Sequence, residues 1–516
     1  MAGLTAFREA YLTADMTSAD TFTDFDGRRM RYDFYWALYQ NSAYRNMHTW
    51  SNSYRATFGL YRYIRNIYNP AFRLSEFWKA HIMGGALDKQ AGDGQTKPSA
   101  LPIITDNESL RPAIANLWKW SNWQISKDVL SLWGAVLGDA AIKIVDDPER
   151  KKVYMKLVNP GTLKSITLDP FGNIKGYTIE EERDDPKGSA RKVTYTEIAS
   201  RDGDDVFYQT QLNGSPYAWD GVGSDWWEPY GFVPMVVIQH NNVGMEWGWS
   251  EMHPVLSKFR EVDDLSSKLS DQIRKMVDVG WLFTGVAAPK TTQKTTGETP
   301  TTDRPEPGRE EVPTLYGPVG ADAKPLVAPL DIAATSAYIT EIIKDIERDY
   351  PELNDDVVMA SGDISGRALR TSREAIEVKV QQRRANYDDA LVRAQQMGVA
   401  IGGYRQYQGF TGFGLDSYAA GALDHEIGER EVFSIDPMDD LEYEQLFWKV
   451  ASEAKTAGMP INFWLKRKQW SDEDIAELID SPEYQARLAS LEQLAMLGNN
   501  QPEQDETQDD AATTEE

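Results

Sequence analysis

The chain has 516 residues, 41% of them apolar and sixteen of them Trp, which is enough to fill two or three domain cores and excludes a wholly disordered protein. It has no cysteine, so disulfides, thiolate nucleophiles and sulfur-ligated metals are excluded together. A formal net charge of −26 excludes a protein that grips nucleic acid through a broadly basic surface, since such a surface works by releasing counterions from phosphates.

Residues 1 to 135 read as mainly helical and strongly aromatic, from Tyr32, Phe34, Tyr35 and Trp36 to Trp118, Trp120, Trp123 and Trp133. Aromatics at helical spacing point to core or subunit contact. No basic segment followed by an apolar core opens the chain, so no secretory signal is expected. No run of about eighteen apolar residues occurs that would cross a bilayer.

From Ala140 to about Val243 the pattern changes to short alternating runs: Ala141 to Val145, Lys152 to Val158, Ile174 to Glu181, Arg191 to Thr196 and Asp205 to Gln211. Turn chemistry separates them, as at Asn159-Pro160-Gly161, Asp169-Pro170-Phe171-Gly172-Asn173 and Leu212-Asn213-Gly214, so a β-rich subdomain is expected. Asp225-Trp226-Trp227-Glu228-Pro229-Tyr230-Gly231 reads as an exposed aromatic loop leading into a buried strand, Val233 to Ile238.

The stretch from His253 to Tyr404 reads as mechanical construction. Pro254 opens a helix in which Val255, Phe259, Val262, Leu265, Leu269, Ile273 and Met276 form one stripe, opposite a wet, charged face. This rod ends near Gly280. A segment rich in Pro, Gly and Thr follows, and a second amphipathic helix runs from Asp331 to Tyr350, stopped by Pro351. After a short polar stretch, Leu353 to Gly366, a third strong helix is expected over Arg367 to Met397, then an irregular Gly-rich segment, Gly402 to Gly421. Shorter helices follow from Asp440 to Leu497, and the acidic tail has the composition of a solvated end.

Catalytic signatures are missing. The five histidines, His48, His81, His240, His253 and His425, include no two at metal-ligand spacing on one helix, and no HExxH, EF-hand, phosphate-loop or G-x-S-x-G pattern occurs. Asp225 with Glu228, flanked by Trp226 and Trp227, and Asp146 with Asp147, are carboxylate pairs of the kind a glycoside hydrolase sets across a cleft. With eighty acidic residues, neighbouring carboxylates arise by chance. No enzyme and no cofactor is expected.

One succession carries a resemblance. Tyr63-Ile64-Arg65-Asn66-Ile67-Tyr68-Asn69-Pro70-Ala71-Phe72-Arg73 comes first, then Gly231-Phe232-Val233-Pro234-Met235-Val236 entering Glu251-Met252-His253-Pro254 and a long helix. The insert and the returning helix follow, and Ser361-Gly362-Asp363-Ile364-Ser365-Gly366-Arg367-Ala368-Leu369-Arg370 opens another long helix. In order and character, over about residues 55 to 500, this resembles the portal protein of tailed bacteriophages. The resemblance implies an α+β, portal-type fold. It would have a mixed α/β wing over 1–252, stem helices over 253–282 and 331–350, a clip over 283–330 and a tunnel loop over 351–366. The long wing helix and return segment would take 367–431, a helical crown 432–498, and an acidic disordered tail 499–516.

The family's role implies a homo-oligomeric ring, usually a homododecamer, at one capsid vertex of a virion assembled in the host cytoplasm. It is the conduit for packaging and ejection of double-stranded DNA. The implied partners are the major capsid protein and scaffold, the terminase large subunit, and then a head-to-tail adaptor; no membrane is involved. Lys290, Lys294, Arg304 and Arg309 would be clip contacts, and Asn354, Asp355, Asp356, Val357, Val358 and Met359 would narrow the bore. Lys268, Arg274, Lys275, Lys344 and Arg348 would include the stem cations that meet passing phosphates, with intrahelical ion pairing the plainer reading of each. An acidic wall with few positive contacts suits sliding, because tight phosphate binding would brake it. The alternatives are another ring or connector protein of a capsid, and the carbohydrate-active hydrolase.

Overall fold

The computed structural model describes residues 25–43, 68–83, 101–186, 188–219, 223–277, 281–283, 314–315, 323–325, 331–353, 366–430 and 432–433, with 445–453 and scattered positions between 463 and 486. The chain divides into two compact units, Met1–Phe433 and Ser434–Glu516.

The first unit is mixed α and β. Its helical layer comprises α1 (Phe25–Tyr39), α2 (Pro70–His81), α3 (Leu110–Trp120) and α4 (Trp123–Leu137). Phe34, Leu74, Trp78, Trp118, Trp123 and Leu130 are fully buried between these helices and the neighbouring sheet, so these aromatics are core, whereas Phe72 of α2 is exposed. Helix α4 stops at Gly138, whose φ of 97° is the left-handed cap that lets its amide reach Gly134 O at 2.8 Å. A Cβ on Gly138 would lie 2.6 Å from the Ser250 amide nitrogen, so glycine is required by space as well as by angle.

The chain then enters β2 (Asp139–Asp147), the centre of a three-stranded antiparallel sheet between β3 (Lys152–Val158) and β10 (Met235–Gln239). Ile142 sits opposite both Leu157 and Val236, and the run Asp139 to Ile142 is buried without a break, as a strand covered on both faces should be. A small pair, β1 (Ile103–Ile104) with β14 (Glu426–Ile427), ties the return segment to the helical layer.

The second sheet is an antiparallel meander, β4 (Leu163–Leu168), β5 (Ile174–Asp184), β6 (Lys192–Asp202) and β7 (Asp205–Leu212), with β8 (Ser215–Pro216) and β9 (Asp225–Glu228) both pairing β7. The turns expected at Asp169–Asn173 and Asn213-Gly214 form. Asp169 accepts the Phe171 and Asn173 amides at 2.8 Å, and Asn213 and Gly214 both take positive φ. The expected aromatic loop is corrected: Asp225 to Glu228 is a strand, in register with Val206 to Gln209, because Trp226 stacks on Tyr208 and Trp227 leans on Phe207.

Helix α5 (Leu256–Val277) follows a short 3-10 turn, His253–Val255, and α6 (Ile332–Asp349) begins at Asp331, whose carboxylate accepts the Ala334 amide at 2.9 Å. Lys258, in the first turn of α5, pairs with Asp349 at the end of α6, so the two rods are antiparallel. Beyond their other ends β11 (Trp281–Phe283) and β13 (Ala323–Pro325) pair antiparallel, with β12 (Thr314–Leu315) parallel to β11. The insert thus leaves and returns through a small sheet.

Replacing Asp331 by Ala is expected to cost about 1 kcal/mol and to raise hydrogen exchange in the first turn of α6, with the rest of the unit unchanged.

Helix α7 (Gly366–Tyr404) spans 39 residues, roughly 60 Å, and packs across β10, β2, β3 and α3. It outruns the expected end at Met397 by seven residues. A short α8 (Leu415–Ala419) lies in the stretch read as irregular. In the second unit, residues 445–453 are helical, with Leu446, Trp448 and Val450 exposed and Ala451 buried. Among the described residues no helix is long and apolar enough to cross a membrane.

Candidate functional site

The helix pair and its root are where the chemistry-bearing residues gather. The root of α5 is embedded: Val255, Leu256, Phe259 and Val262 are all buried, as are Ile339 and Ile346 of α6. Farther out the same stripe is only partly covered at Leu265 and Leu269, and Ile273 and Tyr338 stand 41% and 57% exposed. A paired stripe that loses its cover toward one end needs a further neighbour there.

Of the cations expected to meet DNA, Lys268 pairs with Asp264 at 2.7 Å and Arg348 with Asp345 at 2.9 Å, both intrahelical, while Lys344 is exposed. Arg274 and Lys275 lie on α5, but their side chains are outside the described residues. The residues expected in a tunnel loop, Asn354, Asp355, Asp356, Val357, Val358 and Met359, and those expected as clip contacts, Lys290, Lys294, Arg304 and Arg309, also lie outside them.

A buried polar network joins the root of the α5–α6 helix pair to α7, and the sequence does not single it out. Glu251, just before α5, is 3% exposed and accepts Arg383 Nε at 2.7 Å, with Lys379 Nζ 3.6 Å and His240 Nε2 3.3 Å away. Burial opposes its charge, but the nearby His240 and the charges of Lys379 and Arg383 outweigh that and hold the carboxyl well below its usual range. Burial pushes the His240 ring toward its neutral form. Its Nδ1 lies 2.8 Å from the Tyr387 hydroxyl, while its Nε2 faces Glu251 without an aligned hydrogen bond.

Lys379 also reaches Glu352 at 2.5 Å, and the Tyr350 hydroxyl donates to the Glu251 carbonyl at 2.8 Å. Burial raises the Glu352 carboxyl, with Lys379 opposing it. Three adjoining pieces therefore share one ion cluster: the end of β10 with the Glu251 segment, residues 350–353, and α7. The cluster holds the end of α6 immediately before residue 354. Gly134 lets it close, because a Cβ there would fall 1.7 Å from the Tyr387 hydroxyl oxygen.

Replacing Gly134 by Ala is expected to evict Tyr387 from His240 and destabilise the unit by about 1–3 kcal/mol. Adding Tyr387→Phe to that variant should then change little further, as a double-mutant cycle by chemical denaturation would read.

A second cluster lies at the C-terminal end of α7. Arg405 donates to Asp146 at 2.7 Å and to Glu228 at 2.6 Å, and the Tyr230 and Tyr407 hydroxyls also bind Asp146. This disposes of the hydrolase pairs. Asp146 and Asp147 are adjacent on β2 and Asp225 and Glu228 three apart on β9, so each pair points to opposite faces of its strand. Asp146 and Glu228 are moreover engaged by one guanidinium. Among the described residues no group of His, Asp and Glu could hold a metal ion.

No family model and no curated protein matches the chain. Among solved structures, a chain in the virion of a native gene transfer agent particle is similar over 76% of this chain and 89% of its own, at 13% identity and a TM-score of 0.35. A chain in the neck of an empty gene transfer agent particle is similar over 76% and 90%, at 12% identity and a TM-score of 0.39. At such identity and such scores these likenesses carry no functional assignment.

Proposed function

We propose that the chain is a portal-type subunit: copies close into a ring, on the family pattern of twelve, that conducts double-stranded DNA into and out of a capsid and is not an enzyme. The observation that carries this reading is the pair of antiparallel rods, α5 and α6, rooted in the unit by the Glu251 cluster, bearing an inserted segment at their far end, and losing the cover of their apolar stripe along the way. A lone subunit gains nothing from Ile273 and Tyr338 in water; a ring of rods covers them.

In this reading residues 354–359 narrow the bore and Lys268, Arg274, Lys275, Lys344 and Arg348 include its few phosphate contacts. The insert, with Lys290, Lys294, Arg304 and Arg309, meets the terminase large subunit and later the head-to-tail adaptor. The major capsid protein and scaffold surround the wing, residues 1–252. The protein would sit in the virion at one vertex. The net charge of −26 supports passage without capture.

Reconstituted packaging tests it. Capsid protein, scaffold and terminase assembled with this chain should protect DNA from nuclease, and neutralising the five stem cations should alter the salt dependence of that protection. Equal protection without the chain would sink the proposal.

A further inference from the structure

The second sheet ends in two edges of opposite character. On one side is β9, four residues long, with Trp226 and Trp227 37% and 55% exposed on its two faces and Asp225 and Glu228 at its ends. Asp204 and Asp205 of the adjoining turn add to its negative charge. On the other side is β4, where Lys164, Ser165, Thr167 and Leu168 are exposed and Lys175 of β5 stands alongside. Among the described residues no strand pairs with the outer side of either. An open edge carrying two Trp is a template for another strand unless something covers it.

The register says what fits. Trp227, Phe207, Ser200, Gly176 and Thr167 lie in one row across the sheet, and Trp226, Tyr208, Ala199, Tyr177 and Ile166 in the next. Strands β9 and β4 run the same way, since three antiparallel steps through β5, β6 and β7 and a fourth into β9 restore the direction. A second copy that continues the sheet therefore presents its β4 parallel to β9, with Ser165 beside Asp225, Ile166 beside Trp226 and Thr167 beside Trp227, and with Lys164 adjoining at the register irregularity between Leu163 and Ser165. Lys164 already binds Glu180 at 2.7 Å yet keeps about half its side chain in solvent, 49%. Pairing β9 with the β9 of another copy would be antiparallel instead, and would set Asp225 against Glu228.

Resting on the ring reading above, we infer that β9 of each subunit docks in parallel on β4 of the next, so that the sheet runs on from copy to copy. Different edges meet, so the contact is head-to-tail, the kind that closes rings rather than pairs. The partner of the exposed Trp pair is thus a second copy of this chain.

The absence of native cysteine makes the test direct. Neighbouring strands lie about 4.8 Å apart, within disulfide reach, so the double variant Trp227→Cys, Thr167→Cys should crosslink between copies on oxidation. A second pair in a parallel row, Asp225→Cys with Ser165→Cys, gives an independent reading. A covalent ladder rising to the size of the ring is expected from each double variant, none from single variants, and dimers alone from a one-to-one mixture of Trp227→Cys and Thr167→Cys chains. Trp227→Cys dimerising by itself would overturn the inference in favour of a two-fold contact. Rings by native mass spectrometry without any ladder would overturn it while leaving the ring reading intact, whereas a parent chain that forms no ring defeats both.

Discussion

Glu251→Ala should destabilise the Met1–Phe433 unit by about 3–5 kcal/mol, the size expected when one partner of a buried ion cluster is removed and the rest stays. The reason is geometric. Arg383 and Lys379 converge on Glu251 from successive turns of α7, and His240 and the Tyr350 hydroxyl meet the same residue from β10 and from the end of α6. Without the carboxylate, Arg383 keeps a side chain only 13% exposed and loses its acceptor. Hydrogen exchange in native conditions should then rise together at residues 350–353 and 379–387, because one cluster holds both. A loss below about 1 kcal/mol by chemical denaturation, or exchange that rises in only one segment, would show that apolar packing and not the cluster anchors the α5–α6 pair.

The second large effect is on acid stability. Glu197 lies between the two sheets, 7% exposed, bonded by Lys143 and by the Tyr177 and Tyr195 hydroxyls at 2.6 and 2.8 Å. Burial would raise its carboxyl, but the Lys143 charge and these hydrogen bonds bring it down to about 2 from 4.5. A carboxyl depressed on folding contributes stability that is full above the unfolded value and disappears as pH falls through the folded one. Here that window runs from pH 4.5 to about 2, and the contribution is about 3 kcal/mol. Glu197→Gln should therefore cost about 3 kcal/mol at pH 7 and flatten the acid limb of the stability profile over that window.

Asp139 has the opposite sign. Burial lifts it to about 6 from 3.8, against hydrogen bonds from Tyr32 and Gly248, so its contribution is full below 3.8 and is lost as pH rises through 6. The two carboxyls thus oppose each other between pH 3.8 and 4.5. If the acid limb of the Glu197→Gln variant keeps the slope of the parent, the Lys143–Glu197 pair is not what acid breaks.

How far the sequence told this story depends on the distance over which each element is decided. The ends of α6 were legible because they are local: Asp331 caps, Pro351 stops. So were the hairpin turns, where Asn213-Gly214 and Asp169 set the backbone within a few residues. The end of α7 was not. The stretch from Gly402 reads as irregular, yet a Cβ at Gly398, Gly402 or Gly403 would strike Leu117, Phe410 or the Phe413 carbonyl. These glycines continue the helix because close packing needs them, and no local pattern reveals that.

The edge strands failed for a related reason. β4 exposes both faces over most of its length and so lacks the alternation of a half-buried strand, and β9 exposes both its Trp residues. Among the candidate residues, the intrahelical pairing expected of the α5 and α6 cations is local, and it is present at Lys268 with Asp264 and Arg348 with Asp345. The Glu251 cluster was invisible. Arg383 lies 132 residues from Glu251 and Tyr387 lies 147 from His240, separations that periodicity and spacing do not reach. The one hint was Glu251 itself, an acidic residue placed where the chain enters a buried turn before a long helix.

The central claim is that this subunit builds a ring around DNA, and native mass spectrometry with negative-stain imaging of the purified chain addresses it most directly. The account predicts a closed ring of about a dozen copies with an axial hole of roughly 20 Å, wide enough for a duplex. A species that stays monomeric, both alone and with capsid protein and scaffold, would contradict it.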